Sequence, residues 1–268
     1  MRVTRQPSRL WPYLETPVPF VLAHRGFSLD GLENTMAAFE AAVGLGVRYL
    51  ETDVHATRDG RLIAFHDAHL DRVTDRSGRV RDLDWAQVSQ ARIDGREPVP
   101  LLDDVLAAWP QVRVNIDVKA AGAIGPLAEV IRRTGCQDRV LIGSFSDRRR
   151  RAVLRLLPDR RLAFSLGVGS TAAAVLASLL GQGRIGRAAV RAALGGAACL
   201  QVPPMSNGIP VITRRLLDAV HAAGGQVHAW TIDDPRQMAE LLDLGVDGLV
   251  TNRADLAVEL LRRRAGPG

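Results

Sequence analysis

The chain has 268 residues, a length that suits one large domain such as an eight-stranded α/β barrel. Its net charge of +6 and its pI of about 10.4 favour acidic partners, namely phosphate esters, an anionic membrane surface or nucleic acid. Aromatic residues make up only 4% of the chain, and no basic stretch is interleaved with them, which argues against base stacking. Lys119 is the single lysine, so arginine is the default cation here, and the nucleic-acid interpretation weakens further.

The cysteines and the lengths of the apolar segments indicate in which cellular compartment we expect the protein. Cys136 and Cys199 form no CxxC or Cys/His metal pattern, so we expect a reduced, cytoplasmic setting. The opening segment, MRVTRQPSRLWPYLETP, has no apolar stretch of signal-peptide length. No apolar run approaches the roughly 20 residues that a membrane-spanning helix needs.

The order of predicted elements indicates the fold. We expect an irregular lead-in over residues 1–19 and one barrel domain over residues 20–268. Short apolar runs near residues 21, 49, 114, 141, 163, 199, 228 and 249 alternate with helix-period segments. This alternation predicts parallel strands with helical crossovers, and the eight strands favour a closed (β/α)8 TIM barrel over an open sheet. The polar, turn-rich residues 68–100 are predicted to be a short excursion after the second strand.

Two other runs have plain interpretations. The segment SDRRRR, residues Ser146–Arg151, is predicted to be the solvated start of a helix. The Ala/Leu-rich residues 169–196 are predicted to form one or two helices. Their apolar stretch TAAAVLASLL most simply packs against the protein, although an exposed version could rest on a membrane.

Carboxylates follow the second and third predicted strands. Glu51 and Asp53 are two residues apart, so their side chains leave the same face of the strand. Both offer only oxygen, which suits Mg²⁺ or Ca²⁺, although polar residues also commonly end strands. Asp117 strengthens the metal interpretation, because strand ends converge on one mouth of a barrel. Three carboxylates placed together repel one another unless a cation or basic groups neutralise them.

Two histidines flank this acidic pair. His24 and His66 could serve as general acid and base, although a lone histidine is more often structural. Their position on either side of the carboxylates favours the catalytic interpretation. The remaining histidines do not flank a pair of carboxylates. His55, His69 and His221 are predicted to be structural or surface residues, and His228 is predicted to line the barrel.

Three further residues are candidates for substrate binding. Arg25 could hold a phosphate through paired N–H donors, or pair with Glu33 or another carboxylate at the mouth, and both can hold at once. Lys119 could be a phosphate-binding charge or the Schiff-base lysine of an aldolase. Trp230 could be an apolar wall for the organic part of a substrate or a core aromatic.

These residues lie in segments that resemble the glycerophosphodiester phosphodiesterase family. The resemblance runs from Val21 to the last helix, and the succession HRG…ENT…ExDV…DG…HD makes it specific. The segments are AHRGFSLDGLENTMAAFEAAVGLGVRYLETDVHATRDGRLIAFHD, NIDVK, HAWTIDD and GVDGLVTNRADL.

The resemblance implies a barrel enzyme that uses a divalent cation, Mg²⁺ or Ca²⁺, to hydrolyse glycerophosphodiesters to glycerol 3-phosphate and an alcohol. It also implies a role for each matching residue: catalytic His24 and His66, phosphate-binding Arg25 and Lys119, metal-binding Glu51, Asp53 and Asp117, and Glu33 at or just behind the metal. Asp117 stands where the family usually has glutamate, so its shorter side chain must reach further or bind through water. Leu32 precedes ENT where the family commonly has proline.

Competing functions stay open at this point. The nearest is a phospholipase D-like lyase that acts on lysophospholipids and leaves a cyclic phosphate. A lysine-dependent aldolase is more distant, and the non-enzymatic alternative is a basic protein that only binds anionic lipid or phosphate. We expect a small-molecule phosphodiester substrate, no nucleic acid, and contact with an anionic membrane as an option. Residue types do not select the preferred alcohol, the ion or the oligomeric state.

Overall fold

The computed structural model describes residues 11–265, and within them eight parallel strands form a barrel. Its strands are β1 (Phe20–His24), β2 (Tyr49–Ala56), β3 (Arg113–Val118), β4 (Val140–Gly143), β5 (Ala163–Phe164), β6 (Cys199–Val202), β7 (Gln226–Ala229) and β8 (Gly248–Thr251). Hydrogen-bonded neighbours follow the order β5-β4-β3-β2-β1-β8-β7-β6, and a parallel bridge between Ser165 and Cys199 joins the two ends. The predicted (β/α)8 barrel is confirmed.

Helices connect the strands and cover the outside of the barrel. They span Met36–Gly44, Trp85–Val88, Leu102–Ala108, Ile124–Thr134, Asp147–Leu156, Val168–Ser178, Arg184–Leu194, Arg214–Ala222, Pro235–Leu244 and Ala254–Ala265. Short 3₁₀ turns lie at Pro12–Leu14, Val80–Asp82, Ala121–Ala123 and Gln137–Arg139. Across residues 11–265, no helix has both the length and the apolar content that crossing a bilayer requires.

Local sequence explains where several of these helices begin and end. Thr35 accepts a hydrogen bond from the Ala38 amide at the start of the first long helix, and Ser146 accepts one from the Arg149 amide. Gly135 ends the helix Ile124–Thr134 with a left-handed φ of 64°, a conformation that glycine adopts without steric cost.

The described part of the predicted lead-in is more than an irregular segment. Tyr13 and Leu14 are fully buried against residues of the first strands, including Tyr49 at the start of β2. The Tyr49 hydroxyl donates to the Tyr13 carbonyl at 2.9 Å, and Arg113 donates to the Pro12 carbonyl at 3.2 Å. Residues 11–19 therefore cover the amino-terminal ends of the strands, opposite the mouth. Residues 1–10, which the prediction also included, lie outside the described residues.

The excursion after β2 has a small core of its own. The strand Leu62–Ala64 pairs antiparallel with β2, and a two-residue hairpin, Arg92–Ile93 with Glu97–Pro98, follows later. The apolar side chains of this excursion bury one another; they include Ile63, Phe65, Leu70, Val80, Val88 and Ile93. A second hairpin, Met205–Ser206 with Ile209–Pro210, lies between β6 and the next helix.

The charged run SDRRRR begins a helix as predicted, and Arg148 and Arg151 are exposed, but the predicted exposure to solvent does not extend to Arg150. Arg150 is buried, pairs with Asp147 at 2.8 Å and lies over the Phe164 ring at 5.0 Å. Asp147 also accepts hydrogen bonds from the amide and hydroxyl of Ser170. The run thus ties its helix to the next strand and helix, because arginine can bury its apolar stem while its head stays paired.

His228 lies inside the barrel, as predicted, and is fully buried. Its Nε2 lies 3.1 Å from Gln226 Oε1 and its Nδ1 lies 3.4 Å from Gln201 Nε2, an arrangement that suits a neutral ring with one donor and one acceptor. Burial lowers the pKa of His228 from its ordinary value of 6.5 to about 4. Protonation is therefore easier in the unfolded chain than in the folded one.

This difference predicts a loss of stability in mild acid. Below the unfolded pKa the unfolded state binds more protons, so the free energy of unfolding should fall as the pH drops from about 7 to about 4. His228 accounts for about 3 kcal/mol of that fall. Urea unfolding of the wild type and of His228→Gln at both pH values measures it. Equal pH dependence in the two proteins would show that His228 does not titrate in this way.

Candidate active site

The carboxyl ends of the barrel strands surround a pocket of about 750 Å³. Eight of the nine residues that the sequence singled out line this pocket: His24, Arg25, Glu51, Asp53, His66, Asp117, Lys119 and Trp230. Glu33, the ninth, contacts Arg25 just behind the lining. Side chains from strands far apart in the chain therefore meet at one mouth.

Strand register places the carboxylates next to one another. β2 and β3 pair in parallel so that Asp53 lies opposite Asp117, while His24 of β1 lies opposite Glu51. Lys119 Nζ lies 2.9 Å from Asp53 Oδ1 and 2.8 Å from Asp117 Oδ2. One ammonium thus bridges two buried carboxylates.

Lys119 is held in its charged form. Burial alone would lower its pKa, but Asp117 and Asp53 outweigh burial and raise the pKa above the ordinary value. A Schiff-base lysine needs a neutral amine and a lowered pKa. The surroundings of Lys119 therefore favour an anion-binding charge over the aldolase alternative.

The surroundings of Glu51, unlike those of Lys119, disfavour its charged form. Burial, then Asp53, then Asp117 raise the pKa of Glu51 well above its ordinary range, although Arg25 and Lys119 act against them. Its Oε2 accepts a hydrogen bond from the Arg25 amide at 3.1 Å. An additional positive charge beside Glu51 would relieve this crowding of carboxylates.

The donor set fits a hard divalent cation. Glu51, Asp53 and Asp117 offer only oxygen ligands, and Asp117 Oδ1 is buried with no hydrogen-bond partner among residues 11–265. Among the same residues, no three His, Cys, Asp or Glu side chains already converge as a metal cluster. Lys119 Nζ lies between Asp53 and Asp117 instead, so the ligand type and the unsatisfied oxygen fit, and the side chains are arranged around an ammonium.

The turn after β1 sets the direction of Arg25. Arg25 has a left-handed φ of 57°, and its amide donates to the Glu51 carbonyl at 3.0 Å. Gly26 follows with a φ of 87°, and a Cβ there would lie 2.7 Å from the Ala38 carbonyl carbon. Only glycine allows the turn to approach the first long helix this closely.

Arg25 takes both partners that the sequence left open. Its NH1 donates to Glu33 Oε1 at 3.0 Å, and its Nε lies 3.0 Å from Asp53 Oδ2 as an ion pair. Burial alone would raise the pKa of Asp53, but Lys119 and Arg25 outweigh it and lower that pKa. Asp53 therefore stays ionised between two cations.

The tautomer of His24 follows from its neighbours. Asp233 accepts hydrogen bonds from the Asn252 amide nitrogen atoms, backbone and side chain, both at 2.8 Å. A carboxylate accepts only, so the Asn252 side-chain NH₂ faces Asp233 and its Oδ1 faces His24 Nδ1, 2.7 Å away. His24 Nδ1 must carry the proton, so in the neutral ring Nε2, 4.0 Å from Glu51 Oε2, is unprotonated. Burial lowers the pKa of His24, while the bond to Asn252 acts the other way.

His66 is tied to a different network. Its Nδ1 donates to Asp67 Oδ1 at 2.5 Å, Asp67 Oδ2 accepts from Arg72 Nε at 2.5 Å, and Arg72 donates to Glu33 Oε1 at 2.5 Å. Burial alone would raise the pKa of Asp67, but Arg72 and His66 lower it to about 2. The Nδ1 of His66 is thus bound by a carboxylate that is ionised near neutral pH.

The other histidines behave as the sequence predicted. His55 is buried and its Nε2 lies 3.1 Å from the His66 carbonyl, so it supports the backbone of the catalytic candidate. His221 pairs with Asp247 at 2.7 Å, and His69 is exposed.

Sequence reasoning missed several polar residues around the site. Asn34 adopts a left-handed φ of 58°, donates to Asp53 Oδ2 at 3.2 Å and accepts from the Thr52 hydroxyl at 2.8 Å. Asn tolerates that conformation better than most residues, so the ENT motif carried a usable signal. The others are Asp67, Arg72, Asp233 and Asn252. Three of them, Asp67, Asp233 and Asn252, stand in the segments HD, HAWTIDD and GVDGLVTNRADL that carry the resemblance, but residue types alone gave them no role.

The opposite side of the pocket is apolar. The Trp230 ring meets the Phe145 ring edge to face, with centroids 5.5 Å apart. Leu166, Val175, Leu176, Val202 and Val211 continue this wall. Trp230 therefore belongs to an apolar wall of the pocket.

The barrel, with histidines, carboxylates and basic side chains at its mouth, is that of a phosphoric diester hydrolase. Residues 24–256 match the model of the "Glycerophosphoryl diester phosphodiesterase family". The chain belongs to this family, as the sequence resemblance indicated, and the family's substrates are small glycerophosphodiesters.

Individual relatives agree with this assignment. The chain is 48% identical over 244 residues to the "Probable glycerophosphodiester phosphodiesterase 2" of Mycobacterium tuberculosis, covering 91% of this chain and 90% of that protein. It is 24% identical over 267 residues to the human "Lysophospholipase D GDPD1", and the match covers 86% of this chain and 82% of the human protein. A solved structure of an Oleispira antarctica phosphodiesterase, in complex with the product sn-glycerol-3-phosphate, matches the fold with a TM-score of 0.75. The two sequences are 23% identical, and the match covers 91% of this chain and 97% of that one.

Proposed function

We propose that this protein hydrolyses glycerophosphodiesters to sn-glycerol 3-phosphate and an alcohol by acid–base catalysis between His24 and His66. One observation carries the proposal: both imidazoles line one pocket, and each has its Nδ1–H bound by an acceptor. Each ring therefore has Nε2 available for a proton on the pocket side. The carboxylate and cation cluster lies between them.

The two rings differ in a way that assigns their roles. His24 is the more buried, has a lowered pKa and presents an unprotonated Nε2, so we assign it as the base that takes a proton from the attacking oxygen. His66 is the more exposed ring, and the bond from its Nδ1–H to the ionised Asp67 fixes its orientation, so we assign it as the acid that protonates the leaving alcohol. Arg25 and Lys119 neutralise charge that grows on the phosphoryl oxygens.

Glu51, Asp53 and Asp117 would hold a divalent cation, Mg²⁺ or Ca²⁺. The unsatisfied Asp117 Oδ1 and the raised pKa of Glu51 support this part of the proposal. When bound, the cation supplies Lewis-acid polarisation of the phosphodiester. Glu33 keeps Arg25 and Arg72 in place behind the ligands.

A second candidate function is a lyase that acts on lysophospholipids and leaves a cyclic phosphate. The apolar wall from Phe145 to Leu176 favours it, because such a wall suits a long acyl chain better than a small polar alcohol. The name of the human relative points the same way. The first step would then use a hydroxyl of the substrate's own glycerol in place of water.

A substrate panel tests the proposed function. Glycerophosphodiesters of choline, ethanolamine, glycerol and inositol, and a lysophospholipid, are each incubated with Mg²⁺, Ca²⁺ or chelator and followed by phosphorus NMR. We expect sn-glycerol 3-phosphate as product with at least one ion and arrest by the chelator. A cyclic phosphate would support the lyase instead. Absence of turnover on every substrate with both ions would refute the enzymatic proposal.

A further inference from the structure

One exposed apolar surface lies beside the pocket, and we name it the entrance wall. It consists of residues 168–194, which comprise the helices Val168–Ser178 and Arg184–Leu194 and the connection between them, and of the hairpin of residues 205–210. Within residues 11–265, seven of the ten exposed large hydrophobic side chains belong to it. Besides Val168, they are Leu176, Leu179, Leu180, Ile185, Met205 and Ile209, each between 49% and 79% exposed. So dense a group usually marks a binding surface.

The entrance wall is continuous with the catalytic pocket. Val168 and Leu176 line the pocket and are both more than half exposed to solvent. Ser206 of the hairpin also lines the pocket. The two helices pack against each other, and Gln182 in the connection between them donates to the Arg215 carbonyl of the following helix at 3.1 Å. Whatever covers the wall therefore lies directly beside the entrance to the active site.

The same part of the chain carries the protein's excess of positive charge. Residues 160–217 contain seven arginines and no aspartate or glutamate, so this segment alone accounts for the net charge of +6. Arg184, Arg187 and Arg191 project from the second helix of the wall and are exposed. The remainder of the chain is close to neutral.

We propose that the entrance wall docks on an anionic lipid bilayer. Leucine and isoleucine side chains would enter the interfacial region, while the arginines meet lipid phosphates, as in amphipathic segments that lie on membranes. A second copy of this chain is a poorer occupant, because a symmetric contact would place two strongly positive surfaces face to face. Docking would hold the pocket mouth against a surface that carries phosphodiesters, so the inference extends the proposed function without depending on it.

Vesicle co-sedimentation of the full chain tests the proposal. The vesicles are phosphatidylcholine alone or phosphatidylcholine mixed with phosphatidylglycerol, at low and at high salt. One variant carries Leu179→Gln, Leu180→Gln and Ile185→Gln, and a second carries Arg184→Gln, Arg187→Gln and Arg191→Gln. None of these six residues lines the pocket. The controls are Leu156→Gln and Arg81→Gln, which change an exposed leucine and an exposed arginine outside the wall.

We expect the wild type and both controls to bind the anionic vesicles, and binding to weaken with salt. The arginine triple variant should bind about a hundredfold more weakly, since each arginine near such a surface is worth about fivefold. The Leu/Ile triple variant should bind at least about tenfold more weakly, because it loses apolar area that enters the lipid interface. Turnover of soluble glycerophosphocholine should stay unchanged, which separates this test from that of the proposed function.

Three outcomes would overturn docking on lipid. The wild type could fail to bind anionic vesicles at low salt, or the triple variants could bind as tightly as the controls. Sedimentation velocity could also show a wild-type dimer that both triple variants dissociate, in which case a second copy covers the wall.

Discussion

Replacing His24 or His66 by alanine should lower kcat on glycerophosphodiesters by about 10²–10⁴ without unfolding the protein. Both rings line the pocket, and neither belongs to one of the buried apolar clusters, so their loss removes proton transfer and little packing. Steady-state kinetics with glycerophosphocholine measure the effect, and circular dichroism checks the fold.

His69→Ala is the matched control, because His69 is exposed and does not line the pocket. It should keep wild-type turnover. Wild-type turnover in either His24→Ala or His66→Ala would remove that residue from the catalytic assignment. The two roles can be separated with an activated leaving group, which needs no acid: it should rescue His66→Ala and leave His24→Ala inactive.

Replacing Lys119 by methionine should change catalysis and metal binding in opposite directions. The Lys119 ammonium neutralises Asp53 and Asp117 at 2.9 and 2.8 Å, so its removal leaves both carboxylates with more negative potential. A divalent cation should then bind more tightly. Turnover should still fall by about 10²–10³, because a charge that stabilises the phosphoryl oxygens is lost. Calorimetric titration with Mg²⁺ and steady-state kinetics report the two effects separately.

Lys119→Arg is the natural comparison, since it keeps the charge and changes the geometry. It should keep the wild-type cation affinity and lose only part of the turnover. If Lys119→Met bound the cation no more tightly than the wild type, the ammonium would not compete for the carboxylates. If it also kept full turnover, Lys119 would have no role at the phosphate.

The barrel was predictable because its strands are buried on both faces. Runs such as VPFVLA and RVNIDV are apolar and short, and each is followed by a helix-period segment, which is typical of parallel strands. The lead-in was harder, because prolines dominate it and obscure the two residues that matter. Tyr13 and Leu14 are buried only through contacts with strands that follow much later in the chain, such as the contact with Tyr49.

Some residues of the site were predictable from local sequence patterns, and others reach the site only through tertiary contacts. Glu51, Asp53 and Asp117 were predictable because side chains alternate along a strand and strand ends converge at one mouth. Asn252 was not, because it meets His24 across 228 residues of sequence, and no local pattern records that contact. Arg72 likewise reaches Glu33 from the excursion, 39 residues away.

Calorimetric titration of Mg²⁺ and of Ca²⁺ would show whether the three carboxylates at the mouth hold a divalent cation. The titrations use the wild type and the variants Glu51→Gln, Asp53→Asn and Asp117→Asn. We expect one bound ion per wild-type chain and an affinity at least about tenfold weaker in every variant. A wild type that binds neither ion, or three variants that bind as tightly as the wild type, would contradict this expectation.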